Sequence, residues 1–475
     1  PFKRATYQPR KQQHTVLMNI VKDNQATTFG QQHQFTTINS IEAFQAQVPI
    51  QTYTTLRPYI DQHIAGEANA LITAQPFYYA RTSGTTGEPK YIPVNDKTVK
   101  QHQHALGMFA YLQYRAQRQA FSGSLVAIPG PYDEGQFDNG IRYGSISGLM
   151  YNAMPSHLKA KYVIPASVFA IEEHAIKYQL MLRLMLPHTN LSYLASANPT
   201  TFKKLQDELN THWSTLLDDI NNGGFYALDQ LSQSTRDEVI PLLTAHQERA
   251  TQLQGIKHPV MFKQVWPNLR MVVTWTGGSC GIAVDHIKPS FPDDTVIMDL
   301  GFLSSEMRAT ITMDASQPGG IPTFTDHFFE FIEIIDYEQG IRDTLTLEQL
   351  QVGKQYFLIV TTTSGLSRYF MNDIVEVPGM FNKTPLLMFV QKGKGVTNIT
   401  GEKLSEQQVI RAIEKVKQSY QVDVPFYIAL ACVEQAHYEV YVEMAGKNYI
   451  DEQVADIIEQ QLYKDNVEYE SKRKS

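Results

Sequence analysis

Hydrophobic and polar positions along this chain switch repeatedly between the two periods that mark helices and strands. Apolar residues at helical spacing (Val16, Ile20, Val21) predict a helix over 10–24. Ile41, Phe44 and Val48 predict a second over 39–47, with Ser40 as its cap, and a third follows over 56–64. Asn95 is placed to cap a helix over 97–118. Short apolar runs read as buried strands at 124–128, 191–197, 271–276 and 295–300. Residues 328–335 alternate (Phe329, Phe331, Glu333) as an antiparallel strand does, and 355–362 and 373–377 read as further strands. The segments 166–188 and 200–253 are helical in pattern. Strands interleaved with helices predict an α/β fold with mixed sheets, without internal repeat or low-complexity tract.

The texture changes at 391–395 (Gln-Lys-Gly-Lys-Gly), a charged, glycine-punctuated linker. Beyond it, 396–399 reads as a strand, and Ser405 with Gln408 forms a capping box for a helix over 406–420. Residues 424–433 and 437–444 alternate as a strand pair, and 451–471 is a helix. The division is therefore a large domain over 1–390, a hinge over 391–395 and a small α+β domain over 396–475.

Composition narrows the function classes. With 475 residues there is ample core for one large and one small unit. The net charge of −7 comes without a basic stripe, which argues against nucleic acid or an anionic membrane as partner. Residues 1–16 are polar and basic, and the apolar run over 180–186 is interrupted by Arg183, so neither a signal peptide nor a membrane span is expected. A cytoplasmic monomer is. The two cysteines, Cys280 and Cys432, are far apart and read as packing residues. The histidines lack H-E-x-x-H spacing, so no zinc site is expected.

The chemistry centres on residues 80–94, A-R-T-S-G-T-T-G-E-P-K-Y-I-P-V. Ser83, Gly84, Thr85, Thr86 and Gly87 lie between two strand-like runs without one bulky side chain. Glycine admits positive φ, and hydroxyls and backbone N–H groups donate to phosphate oxygens. By itself such a run suits a hairpin turn equally well. Lys90 and the strand behind it favour a nucleotide, although the spacing is not the Walker pattern. Further polar groups sit at the carboxyl ends of strand runs, where α/β sheets bind ligands. They are Thr276-Gly277-Gly278-Ser279, Ser304-Ser305-Glu306, the threonines 361–363, and Arg368 with Asp373. Singly, Glu306 reads as a loop acid, Asp373 as a turn former and Arg368 as a surface cation.

In this order, the stretches resemble the adenylate-forming superfamily and, within it, the auxin-responsive Gretchen Hagen family of acyl acid-amido synthetases in its bacterial form. R-T-S-G-T-T-G-E-P-K-Y-I-P carries the phosphate motif. V-T-W-T-G-G-S-C-G-I (273–282), G-F-L-S-S-E (301–306), F-F-E-F (328–331), V-T-T-T-S-G-L-S-R-Y (360–369) and V-P-I-Q-T-Y (48–53) match further landmarks. The resemblance implies a large domain of mixed β-sheets or a β-barrel flanked by helices, and a small mobile C-terminal domain. It implies that a carboxylic acid and ATP give an acyl-adenylate and pyrophosphate, after which an amine, usually an amino acid, forms an amide.

Carried over by position, Ser83 to Gly87 form the phosphate loop. Thr276, Gly277, Gly278, Phe302, Leu303, Ser304 and Ser305 contact adenine and acyl-AMP. Glu306 holds Mg²⁺, Asp373 clasps the ribose, Arg368 joins the nucleotide site, Lys394 is the pivot of the small domain, and Lys403 is a second functional lysine. Where plant members read G-L-Y-R-Y-R-x-G-D, this chain has G-L-S-R-Y-F-M-N-D, differing at Ser367, Phe370 and Asn372. The resemblance also implies a late lysine beyond the position of Ser475, hence an incomplete C-terminal domain. A thioester-forming adenylating ligase and a non-catalytic nucleotide-binding protein are the competing readings.

Overall fold

The computed structural model describes residues 2–82, 89–393, 396–397, 404–432, 437–444, 452–466, 469–470 and 473. Its first sheet has the order β2-β1-β5-β4, with β1 (Tyr78–Thr82), β2 (Lys90–Val94), β4 (Gly135–Gln136) and β5 (Arg142–Gly144). A parallel sheet follows in the order β3-β6-β7-β8: β3 (Ser124–Ile128), β6 (Leu191–Ser196), β7 (Met271–Thr274) and β8 (Val296–Asp299). Crossovers between its strands are helical, among them His174–Met185, whose side chains from Leu180 to Met185 are all buried. A two-stranded pair, β9 (Thr310–Thr312) with β10 (Gly320–Pro322), leads into an antiparallel sheet, β11-β12-β13-β16. It is built from β11 (Phe328–Glu333), β12 (Gln355–Thr361), β13 (Tyr369–Glu376) and β16 (Met388–Lys392), with the small hairpin β14 (Met380–Phe381) and β15 (Thr384–Pro385) between the last two. The mixed sheets expected from the sequence are present, as separate hydrogen-bonded sets rather than one closed barrel.

The local signals act as expected where they are short-range. The Ser40 hydroxyl accepts from Ala43 N at 3.0 Å. Asn95 Oδ1 accepts from Thr98 N at 3.0 Å, opening the helix Asp96–Ala116. Helices over 10–24 and 56–64 appear as Pro9–Asn24 and Tyr53–Ile64. The segment 200–253 is broken into several helices, the first being Thr200–Thr211.

Strand β11 lies between two covered faces, since Phe328, Phe329, Glu330, Phe331 and Ile332 are all buried. Each such apolar side chain adds roughly 1.5–3 kcal/mol of burial, and a carboxylate among them has to be paired. Glu330 is the one that carries this demand.

The C-terminal part holds β17 (Val396–Thr397) with β18 (Leu404–Ser405), the hairpin β19 (Phe426–Cys432) with β20 (His437–Glu443), and the helices Glu406–Tyr420 and Glu452–Asp465. The capping box is there: Gln408 N donates to Ser405 Oγ and Ser405 N to Gln408 Oε1. Its core (Leu404, Val409, Ala412, Ile413, Val416, Ile458, Leu462) includes Ile282 from the large domain, and His286 pairs with Asp423. Strand β16 continues through Lys392 and pairs with β13, which places Gln391 and Lys392 inside the sheet rather than in the hinge that the linker texture suggested. No helix among the described residues is long and apolar enough to cross a membrane.

Candidate active site

Strands β1 and β2 pair antiparallel, Tyr78 facing Val94 and Thr82 facing Lys90. Ser83, Gly84, Thr85, Thr86 and Gly87 lie outside the described residues, as do Lys394 and Lys403. At the start of β2, Lys90 Nζ donates to Tyr369 Oη at 3.3 Å and stands 5.7 Å from the Tyr53 ring centre. Tyr53 is held in turn by a hydrogen bond from Tyr91 N at 2.9 Å. Ser305 Oγ donates to Arg81 O at 3.5 Å, drawing the 301–306 loop against the end of β1.

Two carboxylates face this cluster. Glu306 is buried at 9% exposure and accepts no hydrogen bond among the described residues. Asp373 has no exposed surface and sits mid-strand on β13, not in a turn. The Lys392 ammonium lies against its Oδ1, and its Oδ2 has no partner among the described residues. Burial pushes the Asp373 carboxyl up to about 6; Lys392 and Lys90 oppose that, and Glu306 adds to it. Burial, with Glu306, Tyr53 and Asp373 nearby, also pushes the Tyr369 phenol up, so it stays neutral while accepting from Lys90. Two acids and two lysines thus converge around one phenol beside the start of β2.

The glycine turn lies at the carboxyl end of the parallel sheet. Thr276 N and Oγ1 both donate to Asp299 Oδ2, at 2.8 and 2.7 Å, and Gly301 N donates to Asp299 Oδ1 at 2.7 Å. One carboxylate therefore ties the 276–278 turn to the 301–306 loop. Gly278 has φ 57° and ψ −138°, a region open essentially to glycine alone, and it begins the helix Ser279–Ile287. Gly277 and Gly278 lie exposed beside the backbone oxygens of Phe389 and Val390. Phe302 packs on Phe389 at 5.3 Å, Leu303 bridges to Arg308, and Ser304 N donates to Met307 O at 2.9 Å.

Arg368 goes elsewhere. It is not the surface cation that its position suggested, and its guanidinium leaves no donor for a nucleotide. Nε and Nη2 reach both oxygens of Glu330 at 3.1 and 2.9 Å, Nη1 reaches Gln45 O and Val48 O, and Nη2 also reaches Thr344 Oγ1. The F-F-E-F stretch and the 48–53 stretch are thereby parts of one buried polar knot, to which Gln51 adds a parallel bridge with Tyr369.

Sequence reasoning missed Asp299, Lys392 and Arg308. Asp299 was visible as an acid ending a strand run, and Lys392 was absorbed into the linker. Arg308 had no local signal. Also unforeseen, Cys432, His437 and Glu439 on the β19–β20 hairpin each bring a potential ligand atom within 4.8 Å of the others, all three partly exposed.

The chain matches the GH3 family N-terminal domain over residues 1–296, the central domain over 320–392 and the C-terminal domain over 407–475. It is 24% identical over 480 residues to the 4-substituted benzoates–glutamate ligase GH3.12 of Arabidopsis thaliana, covering 93% of this chain and 80% of the relative. The jasmonoyl–L-amino acid synthetase JAR6 of Nicotiana attenuata is 23% identical, over 94% of this chain and 81% of that one. Among solved structures, the GH3.15 acyl acid amido synthetase superposes with a TM-score of 0.84 at 20% identity, covering 97% of this chain and 83% of that one. A 2-hydroxyisobutyryl-CoA ligase in its postadenylation state superposes with a TM-score of 0.57 at 12% identity, covering 95% and 84%. With all three family domains matched in order along its length, this chain belongs to the GH3 family.

Proposed function

We propose that this chain is an ATP-dependent acyl acid-amido synthetase. The observation that carries the reading is the convergence of Glu306, Asp373, Lys90, Tyr369 and Lys392 beside the start of β2. In the first half-reaction, a carboxylate oxygen of the acid attacks the α-phosphorus of ATP and the bond to pyrophosphate breaks. In the second, an amine nitrogen attacks the acyl carbon, AMP leaves, and the nitrogen gives up a proton. The 83–87 loop and Lys90 hold the phosphates, the 276–278 turn with Phe302, Leu303, Ser304 and Ser305 holds adenine and acyl-AMP, and Asp373 receives the ribose hydroxyls. A buried carboxylate whose Oδ2 has no partner among the described residues suits that last task.

Glu306 is the residue proposed to hold Mg²⁺; a buried carboxylate accepting no hydrogen bond among the described residues is a fitting hard-oxygen ligand. Bound there, the ion would neutralise phosphate charge as it develops. Lys394 is proposed as the pivot of the small domain and Lys403 as a second lysine serving the adenylate, both supported by motif position. Small carboxylic acids and amino acids are the proposed substrates, and a monomer in the cytoplasm the proposed working form.

Acid-dependent ATP–pyrophosphate exchange across a panel of carboxylic acids tests adenylation. Mass spectrometry after addition of amino acids or coenzyme A then separates amide from thioester. ATP binding without exchange for any acid would overturn the proposal in favour of a non-catalytic nucleotide binder.

A further inference from the structure

The C-terminal β19–β20 hairpin closes on two residues of metal-binding type. Cys432 ends β19, His437 begins β20, and the two are directly paired across the strands. Paired residues of an antiparallel ladder point to one face, and the residue two positions on returns to it. That residue is Glu439. A thiol, an imidazole and a carboxylate therefore share one face at one end of the hairpin, with their ligand atoms within 4.8 Å of one another. The helical H-E-x-x-H spacing cannot detect such a set, because strands bring it together.

The spacing inside the set is that of ligands rather than of strong hydrogen-bond partners. His437 Nε2 stands 3.4 Å from Glu439 Oε1, long for a charge-assisted bond, whose N···O distance is about 2.7–2.9 Å. Around a tetrahedral zinc ion with bonds of about 2.0–2.3 Å, neighbouring ligand atoms stand roughly 3.3–3.6 Å apart. The Glu439 carboxylate is also held from outside, where Tyr441 Oη donates to its other oxygen, Oε2, at 2.7 Å. A hydroxyl that orients a carboxylate in this way is the support that metal ligands receive. The Cys432 thiol hydrogen-bonds Glu439 as well, so all three groups already meet at one carboxylate. Access is direct, since the His437 and Glu439 side chains are each 40% exposed and Cys432 is half-buried.

Thiolate, imidazole and carboxylate together suit a borderline-soft cation, unlike the hard Mg²⁺ proposed at Glu306. The charges balance too. On binding, the Cys432 proton leaves to solvent, and the thiolate and Glu439 then supply two negative charges to a divalent ion, with His437 neutral.

We propose that Cys432, His437 and Glu439 form a binding site for a divalent transition-metal ion of the zinc class, with water in the fourth position. Bound there, the ion would clip β19 to β20 at the end of the hairpin. The site is independent of the amido synthetase reading. The test uses the full chain, stripped with a chelator and titrated with Zn²⁺ against a chromophoric competitor. The wild-type protein is expected to bind Zn²⁺ at micromolar concentration. Cys432→Ala, His437→Ala and Glu439→Gln are each expected to weaken that binding at least about tenfold. All three positions are partly exposed, so the variants are expected to fold. Co²⁺ gives a second readout, a thiolate-to-cobalt charge-transfer absorption that Cys432→Ala abolishes and Cys280→Ala leaves in place. No Zn²⁺ bound at micromolar concentration, or binding that any one of the three variants leaves unchanged, overturns the proposal. So does a cobalt absorption that survives in Cys432→Ala.

Discussion

Asp373 on β13 and Lys392 on β16 are cross-strand neighbours, and the carboxylate of one lies against the ammonium of the other at the last residue of β16. The pairing does not compensate the burial: Asp373 still titrates near 6, above the ordinary carboxylate value of ~3.9. A carboxyl raised in the fold contributes stability that is fully present below the unfolded pKa and is lost as pH climbs through the folded one. Between about pH 4 and pH 6 the protein therefore gives up roughly 3 kcal/mol. Asp373→Asn should melt higher than wild type at pH 7.5 and level with it near pH 4, while exchange activity falls sharply with loss of the proposed ribose clasp. Calorimetry at the two pH values, with exchange rates alongside, checks both halves. Equal melting at pH 7.5 would contradict the assignment.

Arg368 and Glu330 make the opposite kind of pair, buried, bidentate and fully satisfied. Removing one partner strands a buried charge, which costs about 3–5 kcal/mol. Arg368→Met is expected to lower the urea-unfolding free energy by that amount, with the KM for ATP of the folded enzyme close to wild type. A KM raised tenfold with stability unchanged would return Arg368 to the nucleotide site.

Much of the fold was legible, and the reason is distance along the chain. The caps at Ser40, Asn95 and Ser405 act over three residues, and the strand runs at 124–128 and 191–197 announce themselves as short apolar stretches. What stayed hidden depends on partners far away. Arg368 meets Glu330, Gln45 and Val48 through the folded core, and Arg308 reaches Phe109 across the molecule. Neither partnership leaves a local trace. The candidate site was legible in its motifs but not in its supports: Thr276 and Gly278 stood out, whereas Asp299, which holds their turn, looked like the tail of a strand.

The Gly278 turn gives a contrast between neighbours. A Cβ at either Gly277 or Gly278 would meet nothing closer than 3.6 Å, so space is not the issue. Gly278 alone has the left-handed backbone, and a side chain there carries roughly 1–3 kcal/mol of strain. Gly278→Ala should raise the KM for ATP several-fold more than Gly277→Ala does; steady-state exchange at varied ATP measures this. Equal effects would place the requirement in contact rather than in backbone geometry.

Glu306 carries the metal assignment. Glu306→Ala should reduce exchange by on the order of 10²–10³-fold, the scale of losing one preorganised electrostatic contact to the reacting phosphate. Glu306→Asp should retain activity with an altered Mg²⁺ concentration dependence. An exchange rate in Glu306→Ala equal to wild type removes the residue from the metal site.

The central claim is that a carboxylic acid is activated through its adenylate and passed to an amine. The most direct measurement is a single reaction of protein, ATP, Mg²⁺, a responsive acid and a mixture of amino acids, with nucleotides and acyl products resolved by mass spectrometry. The account predicts one AMP and one pyrophosphate for each acyl–amino acid amide formed. Amide accompanied by ADP and phosphate, or AMP formation with no amide to any amino acid, would contradict it.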